Sequence, residues 1–260
     1  MDSQTNIHNS DIHTPDDIIS ISDIHTPDDI ISIDHQLYKA AAIGQISAFE
    51  QHRDRLQLLL TRGRNTVLHI HFKNRLSLAV KQKSVNFVKE ILGTCPILLK
   101  QQNHMGETPL HVAAKYGDVF AMKLLIHQCV DHDADSESGK VSKQTLLRMK
   151  NKAGDTALHE SMALKLNKYT DQPIRLVFNN FTDWFKHREV AMILSEEDIE
   201  VMHDRNAAGE TPLYLAVKAG FYSVVKKGLH EMDAQRTSTY YGGSDGRTIL
   251  HEAVLRFPSK

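Results

Sequence analysis

Histidine is the side chain that gives this chain most of its potential for metal binding or acid–base chemistry, since 16 of the 260 residues are histidine. The densest group of potential ligands lies between residues 127 and 140 and consists of His127, Cys129, Asp131, His132, Asp133 and Asp135. Its three alternating aspartates have the spacing of a calcium loop. Such a loop also needs glycine at its sixth position and glutamate at its twelfth, where this chain has Ser136 and Ser142. We therefore predict no metal site.

Catalytic motifs are also missing from the sequence. His69 and His71 form an isolated pair without a third ligand nearby in sequence, and we find neither a glycine-rich phosphate loop nor a nucleophile elbow. Cys95 and Cys129 are too few for a disulfide framework or a cysteine-rich zinc site, so we expect buried thiols in a reducing compartment. The prediction is a protein without cofactor, metal or catalytic residues, and not an enzyme.

Four histidines, His69, His111, His159 and His251, instead recur at one position of a repeated pattern. The pattern is clearest in "GETPLHVAAKYGDVFAMKLLI" at 106–126 and returns as "GETPLYLAVKAGFYSVVKKGL" at 209–229. Partial copies begin near 35, 65, 154 and 246. This gives six repeats, starting near 35, 65, 106, 154, 209 and 246, and the last is incomplete.

Each feature that recurs between the copies is typical of a pair of helices. Thr108 can cap a helix whose first position is Pro109, where a missing N–H does no harm. Leu110 and two alanines line one face, and Gly117 suits the left-handed residue that ends the helix. Asn-x-x-Gly sequences before the threonines predict tight turns. The structural positions of the motif are Thr108, Pro109, Leu110, His111, Ala113, Ala114, Gly117, Thr156, Leu158, His159, Thr211, Pro212, Leu213, Thr248, Leu250 and His251.

This "TPLHxAA" unit resembles an ankyrin repeat, whose period is about 33 residues. The resemblance covers residues 35–260 and implies an all-α ankyrin-repeat solenoid, whose repeats contact only their neighbours. It also implies that the histidine at the fourth position is hydrogen-bonded within its own turn, together with the threonine. Residues 1–34 are predicted to be an acidic, disordered tail that precedes about six degenerate repeats.

"FVKEILGTCPILL", "NHMGETPLHVAAKYGD" and "NAAGETPLYLAVKAG" resemble plant ankyrin proteins of the accelerated-cell-death type. That resemblance implies defence or cell-death signalling, with the repeats in the cytoplasm and a C-terminal membrane domain of the PGG type, whose region this chain lacks. We expect a non-catalytic scaffold for a protein partner of unknown identity, cytoplasmic or at the cytoplasmic face of the plasma membrane. The alternative is the cytoplasmic regulatory half of a longer membrane protein, with the PGG domain beyond Lys260.

Charge and hydropathy exclude two other classes of function. The tail holds eight aspartates and no Lys or Arg, which leaves 31 basic and 24 acidic side chains after residue 34, without a basic run for nucleic acid. The longest apolar runs are far shorter than the roughly 18 residues of a membrane helix, and the N-terminus is not a signal peptide. We therefore expect no nucleic-acid binding and no direct membrane insertion, although longer relatives imply tethering.

The chain departs from the ankyrin period at three insertions, around 73–84, 127–150 and 166–187. The second is polar and predicted to be a mobile loop. The third carries the aromatic residues Phe178, Phe181, Trp184 and Phe185, which either pack as a short helix or form a partner site.

Three repeats depart from the motif itself. His71 and Phe72 replace the two alanines of the second repeat, and Ser161, Met162 and Lys165 depart from the pattern in the fourth, so we expect both repeats to be distorted. The sixth repeat stops after one helix, which should leave its residues Leu250, Val254 and Leu255 without a complete neighbour. We interpret this as a truncated product, a fragment or an incomplete gene model.

The acidic tail repeats "SDIHTPDDIISI" twice over residues 10–33. A neutral duplication in a disordered segment is the simplest interpretation. Three alternatives stay open: transient helices that begin at the Thr-Pro pairs, phosphorylation at Thr14 and Thr26, and pairing of the isoleucine clusters with a ubiquitin-like modifier. Those clusters are Ile18, Ile19 and Ile21, and Ile30, Ile31 and Ile33.

A partner is expected on the concave face, which the turn tips and first helices form. The positions that carry this prediction vary from copy to copy, as recognition requires. They are His104, Met105, Glu107, Lys115, Tyr116, Lys152, Ala153, Asp155, Ala207, Ala208, Glu210, Lys218 and Tyr222.

Overall fold

The structure is a computed structural model that describes residues 30–74, 81–129, 141–162, 181–235, 243 and 246–256. Several of the features predicted above lie outside these residues. They are Thr14, Thr26, Ile18, Ile19, Ile21, Asp131, His132, Asp133, Asp135, Ser136, Lys165 and Phe178.

Eleven α-helices fall within the described residues. They are α1 His35–Ile43, α2 Val67–Lys73, α3 Lys81–Thr94, α4 Pro109–Lys115, α5 Val119–His127, α6 Lys143–Arg148, α7 Ala157–Met162, α8 Phe181–Glu197, α9 Pro212–Ala219, α10 Tyr222–Gln235 and α11 Ile249–Arg256. Segments of 3-10 helix cover Ile46–Leu58, Pro96–Leu99 and Ile199–His203. Two short strands, β1 Ile31–Ser32 and β2 Leu59–Leu60, pair in parallel.

The helices stack as an all-α repeat solenoid. The first helices of successive repeats, α1, α2, α4, α7, α9 and α11, pack each on the next, and α3, α5, α8 and α10 form a second row behind them. The core between the rows is aliphatic and rich in alanine, and Leu110, Ala113 and Ala114 have no exposed surface. Small side chains at these positions let neighbouring helices approach closely, so the predicted fold class is confirmed.

The first repeat begins earlier than the predicted boundary after residue 34. Asp34 is the N-cap of α1, since its carboxylate accepts a hydrogen bond from the Leu37 N–H at 2.8 Å. Ile33 is buried, and its N–H donates to the Leu60 carbonyl at 3.1 Å. Residues 31–34 therefore belong to the folded stack and not to the tail. Ile31 pairs with Leu59 of the same chain, which argues against pairing of this isoleucine cluster with a modifier protein.

The expected distortion of the second repeat is absent from α2, which has the length and the cap of α4. His71 and Phe72 are buried against α1, where the His71 Nδ1–H donates to the Ala41 carbonyl at 2.9 Å. The extra volume fits because Gly44 leaves room: a Cβ there would lie 3.1 Å from the His71 ring. In the fourth repeat α7 is regular through Met162.

The second insertion is not a loop throughout. Its last residues form α6, whose N-cap Ser142 accepts from the Thr145 N–H at 3.2 Å. Leu146 and Leu147 of this helix are buried. The Arg148 guanidinium donates to both oxygens of Asp198, at 2.6 and 3.1 Å, and this paired geometry holds α6 against the end of α8. The sequence prediction failed here because a one-turn helix leaves too short a periodic signal.

Phe181, Trp184 and Phe185 of the third insertion lie in the first turns of α8, a helix of 17 residues and therefore not a short one. The Trp184 Nε1–H donates to the Ala219 carbonyl at 3.2 Å, and the Trp184 ring meets Phe221 edge to face. Phe185 remains 39% exposed. The packed alternative thus holds for Trp184, which joins the fourth repeat to the fifth.

The last helix, α11, leaves Leu250, Val254 and Leu255 at least 64% exposed, as expected of these positions. Of the two free thiols, Cys95 is buried and Cys129 is half-buried. No helix within the described residues has the length and apolar character needed to cross a membrane.

Candidate protein-interaction surface

A threonine–histidine pair closes the start of the first helix in the second, third, fourth and sixth repeats. In the third repeat the Thr108 hydroxyl oxygen accepts from the His111 N–H at 3.4 Å, while the Thr108 N–H donates to His111 Nδ1 at 3.2 Å. The same reciprocal bonds join Thr66 to His69, and the Thr156 and Thr248 N–H groups likewise donate to their histidines. The predicted bond within the turn is thereby confirmed, and it satisfies backbone donors that a helix start leaves free.

The other ring nitrogen of three histidines reaches the following repeat, which the sequence did not reveal. His69 Nε2 lies 2.8 Å from the Glu107 carbonyl, His111 Nε2 lies 3.0 Å from the Asp155 carbonyl, and His159 Nε2 lies 3.2 Å from the Glu210 carbonyl. A carbonyl only accepts, so Nε2 carries the proton and Nδ1 is free to accept from threonine. Each ring must be neutral to make both bonds.

Burial reinforces that neutral state. Desolvation lowers the pKa of His69 to about 4, against the small opposing effect of its bond to the Glu107 carbonyl. Burial likewise lowers the pKa values of His111 and His159. These histidines are therefore structural links between repeats, without access for a substrate or a metal.

The turns that precede the inner helices form a row that we call the fingertips, residues 61–65, 103–107, 151–155 and 206–210. In the third fingertip the Gly106 N–H donates to the Asn103 carbonyl at 2.9 Å, and Gly106 has a left-handed φ of 76°. The Asn103 side-chain oxygen accepts from the N–H groups of Met105 and Glu107, both at 2.9 Å. The Asn-x-x-Gly turns predicted from the sequence are thus confirmed here.

Neighbouring fingertips are joined through their backbones. The His104 N–H donates to the Gly63 carbonyl at 2.7 Å, the Lys152 N–H to Met105 at 2.9 Å, and the Ala207 N–H to Ala153 at 2.9 Å. A side chain at Gly106 would press on this joint, because a Cβ there would lie 2.8 Å from the Lys152 nitrogen. These backbone groups are therefore occupied within the stack, and exposed side chains such as Met105 form the outer surface of the tips.

The thirteen residues predicted to bind a partner divide into three groups. His104, Met105, Lys152, Ala153, Ala207 and Ala208 are exposed at the fingertips. Glu107, Lys115, Asp155, Glu210 and Lys218 make internal polar bonds. Tyr116 is half-buried against the core, whereas Tyr222 is 71% exposed at the start of α10.

The internal bonds of the second group join each fingertip to its own helix or to the next fingertip. Lys115 Nζ lies 2.6 Å from Glu107 Oε1, and Lys218 Nζ lies 3.3 Å from Glu210 Oε1. Asp155 accepts from the Asn206 side chain at 2.7 Å. These acids lie at the base of the fingertips, so their role is to position the tips.

Glu160 lies behind this polar row, where α7 meets the turn before it. Its Oε1 accepts from the Asn151 side chain at 2.9 Å. Burial raises its pKa to about 7, helped by the negative charges of Glu107 and Asp155 and opposed by Lys115. Glu107 differs: burial would raise its pKa, but its bonds to Lys115 and Asn103 outweigh burial and lower it. At neutral pH Glu107 is thus a carboxylate, whereas Glu160 is near the midpoint of its titration.

Two exposed arginines, Arg62 and Arg64, belong to the second fingertip, and the sequence analysis missed both. Arg64 has a left-handed φ of 58°, at the place where the other repeats have Gly106, Gly154 and Gly209. A side chain costs about 1 kcal/mol or more in this conformation. The signal in the sequence was the turn "TRGRNT", whose glycine comes one residue too early.

No three His, Cys, Asp or Glu side chains gather as a metal site within the part of the chain that the structure describes. His127 is exposed at the end of α5, and Cys129 is half-buried two residues later.

The sequence of this chain is similar to ankyrin repeats and to two larger proteins. A family model described as ankyrin repeats, in three copies, matches residues 76–169. Protein ACCELERATED CELL DEATH 6 of Arabidopsis thaliana is 28% identical over 160 residues, 61% of this chain and 21% of that protein. The transient receptor potential cation channel subfamily A member 1 homolog of Caenorhabditis elegans is 35% identical over 81 residues, 31% of this chain and 6% of that protein. The chain therefore spans only a minor part of both curated relatives.

Proposed function

Since this chain carries ankyrin repeats, we propose that it is a non-catalytic interaction module that binds a protein partner on its fingertips. One observation carries the proposal: the fingertips share one hydrogen-bonded backbone but expose different side chains. Met105, for example, is 59% exposed where the fourth and fifth fingertips have Ala153 and Ala208. A rigid frame with variable side chains supports recognition of one partner among many.

The biological setting of this binding is also a proposal. The similarity to Protein ACCELERATED CELL DEATH 6 supports a role in cell-death signalling. We propose plant defence, at the cytoplasmic face of the plasma membrane, as its setting. A second candidate is that the repeats regulate a longer membrane protein, which the similarity to a cation channel homolog supports.

The setting is tested by a fractionation blot with an antibody against residues 35–126. A band well above 29.4 kDa in the membrane fraction would support the second candidate. A soluble band at 29.4 kDa would support a separate scaffold and contradict the second candidate.

The binding surface is tested with peptides displayed on phage and selected on the full chain. The selected peptides are then measured by fluorescence anisotropy against the wild type and the double variant Met105→Arg, Lys152→Glu. Because both side chains are exposed, we expect binding to be lost while the circular dichroism spectrum and the Tm stay unchanged. Full binding by the variant would show that the fingertips are not the binding surface.

A further inference from the structure

Deepening the proposed function, on which this inference rests, we infer that the second to fourth fingertips bind an extended acidic peptide of the partner. Arg62, His104 and Lys152 each lie four residues before a capping threonine and are exposed. Backbone hydrogen bonds between adjacent tips place them side by side, since the His104 N–H reaches Gly63 and the Lys152 N–H reaches Met105. They form a basic row along the stack.

The arginine and lysine charges of the fingertips are not used within the described part of the fold. No carboxylate of the described residues pairs with Arg62, Arg64 or Lys152, although Lys115 and Lys218 nearby each have a glutamate partner. The fingertip acids lie at the base of the turns, so they do not neutralise the tips. Positive charge is thus presented to the outside and is complementary to an acidic ligand.

Arg64 adds an independent observation. It alone of the described fingertip residues holds the left-handed conformation without being glycine, with φ at 58°. The Arg64 N–H donates to the Thr61 carbonyl at 2.8 Å, so this turn fixes the strained backbone. A strained residue with an exposed, unpaired guanidinium indicates that its side chain is needed for binding and not for folding.

An apolar row beside the basic row favours a peptide over nucleic acid. The residues three before the threonines are Gly63, Met105, Ala153 and Ala208, and they carry no charge. A nucleic-acid strand needs cations along its whole backbone and aromatic platforms for its bases, whereas an acidic peptide with apolar residues fits two such rows.

The distance between successive repeats determines the spacing expected of the acidic residues in the peptide ligand. Packed helices lie about 8–10 Å apart, and an extended peptide advances about 3.3 Å per residue. Successive side chains of the basic row should therefore meet every third residue of the ligand. The expected motif has acids at i, i+3 and i+6 with small or apolar residues between them.

Fluorescence anisotropy with a fluorescein-labelled decapeptide tests this inference, with aspartate at every third position and alanine or leucine elsewhere. One control peptide replaces the aspartates with asparagine, and a second places them next to one another. The full chain should bind the spaced acidic peptide, and the binding should weaken with added salt. Equal binding of all three peptides would overturn the inference.

Arg64→Gly separates binding from folding. Because glycine relieves the left-handed strain, we expect the Tm to rise by about 2–4 °C. The same variant loses one charge contact, so the affinity for the spaced peptide should fall by about fivefold. The matched control Arg53→Gln removes an exposed arginine from the 3-10 segment Ile46–Leu58 and should change neither quantity. Unchanged affinity of Arg64→Gly would overturn the inference.

The two proposals fail in different ways. If selected phage peptides bind the fingertips but the spaced acidic peptide does not, the interaction function stands and the acidic ligand is wrong. If no peptide binds, both are wrong. A 12-nucleotide single-stranded DNA that binds as tightly as the spaced peptide would mean that the surface takes any polyanion, which also overturns the inference.

Discussion

At the scale of single residues, one imidazole makes two hydrogen bonds, one within its own repeat and one to the next repeat. Nδ1 of His111 accepts from the threonine that caps its own helix, and Nε2 donates to the carbonyl of Asp155 in the next repeat. A proton on Nδ1 would place two donors face to face. The histidine is therefore useful to the stack only while it is neutral, which makes the stability of the chain depend on pH.

We predict that the free energy of unfolding falls as the pH drops from about 6.5 toward 4. The pKa of His69 is 6.5 in the unfolded chain and is lowered to about 4 in the fold. Between these pH values the unfolded chain binds a proton at His69 and the native chain does not, so acidification favours unfolding. His69 alone accounts for roughly 3 kcal/mol over that range. Urea unfolding followed by circular dichroism between pH 7.5 and 4 measures this loss, and His69→Gln should lose less stability than the wild type over this range. Equal pH dependence of the wild type and His69→Gln would contradict the prediction.

Glu160 gives this experiment an internal control of opposite sign. Its pKa is raised to about 7, so its contribution is largest when it is protonated and is lost as the pH rises from 4.5 through 7. Glu160→Gln keeps an oxygen for the Asn151 side chain. The variant should be more stable than the wild type at pH 8 and should lose stability more steeply on acidification.

At the scale of elements, the helix starts were predictable and several other features were not. Threonine and proline mark α4 and α9 because capping is a local event that four residues determine. The one-turn helix α6 and the bond from Trp184 to Ala219 depend on partners about 35 to 50 residues away. The exposed tips were predicted from their place in the motif. The strained Arg64 was missed because an arginine in the sequence gives no sign of a left-handed backbone conformation.

A compensating pair shows how elements adjust to one another. Tyr214 stands where four other repeats have histidine, and Gly243 stands where three fingertips have asparagine. A Cβ on Gly243 would collide with the Tyr214 ring. The larger side chain in one repeat is thus matched by the missing side chain in the next turn.

We predict that Gly243→Ala destabilises the α9–α11 joint by about 1–3 kcal/mol, because overpacking displaces the ring. In the background of Tyr214→His the same change should cost far less. Thermal unfolding of the four proteins gives the coupling between the two sites. Additive effects would mean that the two residues do not contact each other in solution.

At the scale of the whole molecule, the solenoid has no central core, so its stability is a sum over neighbouring repeats. α4 packs on α2, α7, α5 and α8, whereas α11 packs mainly on α9. The described stack should therefore differ in stability along its length.

We predict that amide hydrogens of α4 and α7 exchange far more slowly than those of α11, by about 10-fold or more, because a helix with one neighbour opens more readily. Hydrogen exchange read by mass spectrometry measures this order. Uniform protection from α1 to α11 would show a single cooperative unit and contradict the prediction.

The histidine bonds between repeats also have a mechanical meaning. His69, His111 and His159 each form a hydrogen bond to the next repeat, from the second repeat to the fifth. The three bonds lie in series, so a force along the stack acts on all of them. Tyr214, at the same position in the fifth repeat, brings no imidazole N–H to the joint with α11. Under tension the stack would part first at that joint, and the second to fifth repeats would hold their spacing.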